Sequence, residues 1–126
     1  MRVHSFKVAT TLAAQRFVAC SSTPNTVEYP ANGTVLPIGI TIDTVKDTNQ
    51  AIPVARPGEI AKLQFNDTVT SGALVAANNA GQGIPYTLAN TSTALTLAAA
   101  YGGVLVGPSV AATGTVQNVL IMPGYR

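Results

Sequence analysis

The sequence predicts an all-β protein, a small compact β-barrel or sandwich of short antiparallel strands with an extended N-terminal arm. Runs rich in Val, Ile and Thr are broken by Gly, Pro and Asn turn signals at intervals of about eight to twelve residues, the spacing of all-β folds. Helical periodicity is nearly absent. Only 10% of the 126 residues are charged, against about 25% in ordinary soluble proteins, so much of the surface is expected to be covered. The length suits one domain, assigned to residues 14–126 behind an arm of residues 1–13.

Residues 16–21 alternate as a strand, with Val18 and Cys20 on one face and Phe17 and Ala19 on the other. A loop with Pro24, Pro30 and Asn32-Gly33 leads to VLPIGITID, which sets Ile38, Ile40 and Ile42 on one face. Residues 43–50 are polar and connect to residues 51–55, where Pro53 removes a ladder donor and argues for an edge or a bulge. Arg56-Pro57-Gly58-Glu59 has the chemistry of a type II turn. The return strand alternates, with Ala61, Leu63 and Phe65 inward and Lys62 and Gln64 outward, so a hairpin is expected there. A second hairpin joins ALVAA to residues 84–88 through Asn78-Asn79-Ala80-Gly81. Residues 93–101, rich in Ala and Leu, favour a helical turn or two. VLVGPSVAATGTVQNVLIMPG then reads as strand, turn, strand.

The last part echoes an earlier one. LPIGIT lines up with VLVGPS, pairing Gly39 with Gly107, and VARPG lines up with LIMPG, pairing Gly58 with Gly124. An internal pseudo-repeat of about residues 35–58 and 103–124 is therefore expected, as two strand-turn-strand units.

Chemistry-bearing residues are few. The single histidine, His4, lies in the N-terminal segment, so no Ser-His-Asp or Cys-His set is anchored. One His and one Cys make no zinc set. Glu28, Asp43, Asp47, Glu59 and Asp67 fall in turns or at strand ends and read as solvated charges. Gly81-Gln82-Gly83 lacks the context of a dinucleotide loop. No enzyme activity, cofactor or metal is expected. Seven scattered Lys and Arg give a net charge of +2 without a basic stripe, and tryptophan is absent, so nucleic acid is not an expected partner. No apolar run nears the ~18 residues of a membrane span.

The order of these pieces resembles the tailed-phage capsid decoration, or cement, proteins of the small β-barrel type. The matching elements are Ile38-Gly39-Ile40, Pro53-Val54-Ala55, Gly72-Ala73-Leu74-Val75, Val106-Gly107-Pro108 and Val119-Leu120-Ile121-Met122-Pro123-Gly124, spread over residues 14–124. Pro108 stands where that family more often has a residue able to donate a strand hydrogen bond, and the excursion over residues 22–33 is long. The resemblance implies a homotrimer on the outer capsid surface of a virion, bridging neighbouring major capsid proteins. Contact residues expected from exposure and position are Arg2, His4, Phe6 and Lys7 on the arm, and Tyr125 and Arg126 at the other end.

Two other readings compete. Arg2, His4, Lys7 and the Ala19-Cys20 step suggest a lipoprotein signal, with Cys20 acylated, but VATTLAAQRF is too polar for its apolar centre. The resemblance instead makes AAQRFVACS a strand of the mature barrel, with Cys20 internal. A carbohydrate-binding module would have to stack sugars on Tyr29, Tyr86, Tyr101 and Tyr125.

Overall fold

The computed structural model describes residues 2–31, 35–45, 47, 50–86 and 100–125. Alternating apolar side chains and turn residues place ten strands: β1 (Val3–Val8), β2 (Phe17–Cys20), β3 (Thr26–Glu28), β4 (Gly39–Thr41), β5 (Ala51–Ala55), β6 (Ile60–Gln64), β7 (Leu74–Ala77), β8 (Gly83–Pro85), β9 (Ala100–Leu105) and β10 (Val116–Tyr125). The chain is all-β, as the sequence predicts. Strands β1 to β5 close a barrel in the order β1-β3-β2-β4-β5, and the rest form a five-stranded sheet in the order β6-β10-β9-β7-β8.

The N-terminal segment is extended, but as a strand of the barrel rather than a free arm. Residues 3–7 pair antiparallel with β5, from Val3↔Ala55 to Lys7↔Ala51, and Lys7 and Val8 pair parallel with β3. Its apolar residues carry this placement. Val8 is buried and Phe6 packs on the barrel core of Leu12, Val18, Val27, Val45, Ile52 and Val54.

The turn at residues 56–59 forms as expected, with Glu59 N–H donating to Arg56 O at 3.1 Å and Gly58 at φ +92°. The hairpin around it does not. β5 stays between β4 and β1, while β6 crosses to pair with β10, so the turn links two sheets. Pro53 is therefore not on an edge strand. Its missing donor faces the end of β4, where Ile42 N–H donates to Pro53 O at 3.1 Å. The β7–β8 hairpin and the β9–β10 pair are present. Residues 100–101 open β9, and residues 93–99 of the expected helical turn lie outside the described residues.

Ladder registers show that the second sheet repeats the first strand for strand. Val3↔Ala55, Ala55↔Ile40 and Ile40↔Phe17 recur as Ile60↔Leu120, Leu120↔Val104 and Val104↔Leu74. The parallel contact Val8↔Val27 recurs as Phe65↔Gly83, and the bridge Leu12↔Val45 as Val69↔Val110. Even the left-handed residues correspond, Gln15 to Gly72 and Asn25 to Gly81. Gly39 thus matches Gly103, not the expected Gly107. At both, a Cβ would run into a partner-strand carbonyl, Ala55 O or Leu120 O.

The two units differ at one seam. In the first, Lys7 N–H donates to Asn25 O at 2.9 Å and Ala9 N–H to Val27 O at 3.0 Å, closing β1 on β3. In the second, Asn66 N–H still donates to Gly83 O at 2.8 Å, but Gln64 N–H goes to Gln15 O at 2.9 Å and Gly81 O accepts from Phe17 N–H at 2.7 Å. Residues 15–17 of the first unit are wedged into the second unit's seam. Phe17, Ile40 and Ala55 complete the second core, alongside Leu63, Phe65, Val75, Leu105, Val119 and Ile121.

Cys20 departs from the expected internal position, since β2 buries Phe17, Val18 and Ala19 and leaves Cys20 exposed as a free thiol. Cleavage before it would remove all of β1 and most of β2, so the acylated reading does not fit this barrel. Likewise Ile40 is buried, but Ile42 lies past the end of β4 and is 38% exposed.

Two stability outcomes follow. Deleting residues 1–8 should cost at least about 3 kcal/mol, because it uncovers the Val8 site and orphans ladder groups of β3 and β5; thermal unfolding should find the barrel lost rather than an unchanged midpoint. Phe17→Ala should cost about 3–5 kcal/mol and lower the midpoint without abolishing strand content by circular dichroism.

Candidate docking surfaces

Three surfaces stand out. The first is the mouth of the closed barrel, a pocket of about 490 Å³ lined by Phe6, Cys20, Leu36, Pro37, Ile38, Val54, Arg56, Pro57 and Pro123. It is largely apolar because the inward positions of β1 and β5 reach its rim. Of the expected contact residues, Phe6 and His4 on β1 and Arg2 just before it lie toward this end. Phe6 lines the pocket, and His4 stacks on Phe6 with ring centroids 4.6 Å apart and planes tilted by 52°. Arg2 reaches across the turn, with its Nε 3.6 Å from a Glu59 carboxylate oxygen and its Nη2 donating to Pro57 O at 3.4 Å. Lys7 is exposed on the opposite face of the same strand. The backbone of Tyr125 pairs with Ala100 on β9, away from this group; its side chain and Arg126 lie outside the described residues.

The second surface is a groove of about 330 Å³ where the units meet, between Gln15, Thr41 and Ile42 on one side and Ile60, Ala61, Lys62 and Asn118 on the other. Its floor is ordered by the Thr41 hydroxyl, which donates to Ala13 O at 2.7 Å and accepts from Arg16 N–H at 3.1 Å.

The third surface escaped the sequence reading. On the outer face of the second sheet, Ile60, Leu120, Val104 and Leu74 stand side by side as cross-strand partners, and Tyr86 extends the row through its N–H bond to Leu74 O at 3.2 Å. Ile60 is 51% exposed, with Met122 and Val106 nearby on β10 and just past β9, each 46% exposed. The sequence does carry a signal for this row: VLIM and GVLV are apolar at consecutive positions, which in a strand means apolar on both faces.

Among the described residues the titratable groups do not converge. Glu59 faces Arg2, Asp67 accepts from Thr68 N–H at 2.7 Å, and Glu28, Asp43 and Asp47 lie exposed in other loops and strand ends. Among the described residues no three His, Cys, Asp or Glu side chains gather as metal ligands. No helix there is long and apolar enough to cross a membrane. The tyrosines are split as well. Tyr86 and Tyr101 meet edge to face at 5.6 Å, while the Tyr29 hydroxyl oxygen accepts from Ala13 N–H at 2.8 Å on the first unit.

This geometry has a counterpart among solved structures. The fold is that of the N-terminal base of the head fibre protein gp8.5 of bacteriophage phi29. The two superpose with a TM-score of 0.69 over 96% of this chain and 93% of that one, at 14% sequence identity. No family model matches the chain, and no curated protein does. At that identity the likeness establishes the architecture.

The Arg2–Glu59 pair is 70% exposed on the Arg2 side, and exposed pairs contribute about 0–1 kcal/mol. Arg2→Ala should therefore leave the unfolding midpoint almost unchanged, in contrast to removal of β1; a large drop would show that the pair, not the ladder, holds the turn.

Proposed function

We propose that this chain is a structural protein of a phage virion, attached to the outside of the head, where as a homotrimer it decorates the shell and bridges neighbouring major capsid proteins. The observation that carries this reading is the near-complete superposition on the base of a phage head fibre. The order of motifs, which resembles that of small β-barrel decoration proteins, points the same way. The surfaces agree in kind. They are apolar grooves and rows of about protein-contact character, without the convergent acids and bases that catalysis requires. A trimer would also explain the low charge, because subunit and shell contacts cover area that a free monomer must keep solvated. Attachment at several points lets weak single contacts sum to firm retention through high effective concentration.

The test is sedimentation of purified protein with expanded capsids that lack it, counting copies bound per shell. Saturation at a fixed stoichiometry supports the reading. Failure to pellet with any capsid of the phage that encodes the chain would overturn it, and retention on a glycan surface instead would favour a sugar-binding module.

A further inference from the structure

The two units of one chain are joined by a contact whose two apolar halves each have a counterpart elsewhere on the same molecule. In the first unit, the row Phe17, Ile40 and Ala55 is fully buried because the second unit covers it. The ladder registers make Leu74, Val104 and Leu120 the corresponding row of the second unit. Those three are only half-buried. The covering side is repeated too. Phe17 settles on Gly102, where any Cβ would strike its ring, within a cluster that includes Leu63, Ala77 and Val119. By register, the first unit offers Ile38, Phe6, Cys20 and Val54 at these positions, and all four line the open barrel mouth.

We propose that the Leu74, Val104 and Leu120 row of one copy docks at the barrel mouth of the next, repeating between chains the apolar side-chain part of the contact made within each; the backbone pairing of residues 15–17 is not repeated, because β1 closes on β3 at the equivalent seam. This rests on the self-association part of the reading above and names its surfaces. The occupant is a second copy because the row and its receptor are the two halves of an interface this chain already makes with itself. Side-chain sizes support the match. Within the chain a phenylalanine meets a glycine, whereas between chains a leucine would meet an isoleucine, so bulk lost on one side returns on the other. Such a contact is head-to-tail, and head-to-tail contacts form closed rings when the rotation between copies closes. Three chains in a ring would set six alternating units around one axis.

The experiment uses the full chain, with mass in solution as the readout. Leu120→Glu removes the row, and Ile38→Glu removes the receptor. Each variant alone should be monomeric, and an equimolar mixture should give a heterodimer and nothing larger, since each partner keeps one working side. Cys20 should react with a thiol reagent several-fold more slowly in the wild-type assembly than in the Leu120→Glu monomer. If Leu120→Glu loses its strand signal, Val104→Lys replaces it. A wild-type protein that stays monomeric at high concentration would overturn the proposal, as would wild-type mass in either variant or a mixture that remains monomeric. Capsid sedimentation of the same samples separates this outcome from failure of the virion reading, because a monomer that still saturates capsids defeats only the interface.

Discussion

The placement of residues 15–17 in the seam between β6 and β8 governs the rest of the molecule. Gln15 turns the chain with φ at 63°, and the next two residues bring backbone and ring together to the second unit. Without them Gln64 N–H and Gly81 O would face each other across a gap, each costing about 1–3 kcal/mol if left unpaired and buried. The Phe17 ring supplies the bulk that Gly102 lacks. The second core is thus complete only when the first unit is folded against it, which makes the barrel and the second sheet one cooperative body rather than beads on a linker.

The same wedge explains why two units with one topology have different interiors. The closed barrel fills its β1–β3 contact with Val8 and Val27, two medium side chains facing each other. The wedged unit fills the corresponding place with Phe65 against Gly83, where a Cβ would meet the Phe65 ring. Volume is conserved across the pair while its distribution changes, as close packing requires.

What the sequence disclosed was what is local. The type II turn at residues 56–59, the Asn78–Gly81 connection and the inward Ala61, Leu63 and Phe65 were all legible, because turn chemistry and strand alternation depend on neighbours. Strand partners were not. β5 and β6 flank a tight turn and still belong to different sheets, since each has a longer-range partner, β1 and β10, that offers more ladder and more burial. The N-terminal segment read as an arm for the same reason: nothing within reach of it in the sequence shows the parallel slot beside β3. The internal repeat was visible but misregistered, because Gly-Pro turns attract alignment more strongly than the strand glycines Gly39 and Gly103, whose constraint is a carbonyl on the neighbouring strand. Cys20 was misplaced by one end effect, being the last residue of a strand whose other three are buried.

Two of the residues first expected to touch the capsid sit at the proposed receptor for a second copy. Phe6 lines the barrel mouth and His4 stacks on it, so a mouth occupied by a neighbouring copy would take these side chains out of reach of any shell. The two uses exclude one another. If the copies join through that mouth, contact with the shell must fall to surfaces that a ring leaves open at its upper or lower rim. Candidates are the connections at residues 66–73 and 106–115: they are largely exposed, and Ser71 holds them together by donating its hydroxyl to Gly107 O at 2.8 Å and its N–H to Ser109 Oγ at 2.9 Å. On the proposed reading, apolar rows would drive self-association and exposed loops would bind the shell, a division that would let the ring form before it meets a capsid and let all its copies bind at once.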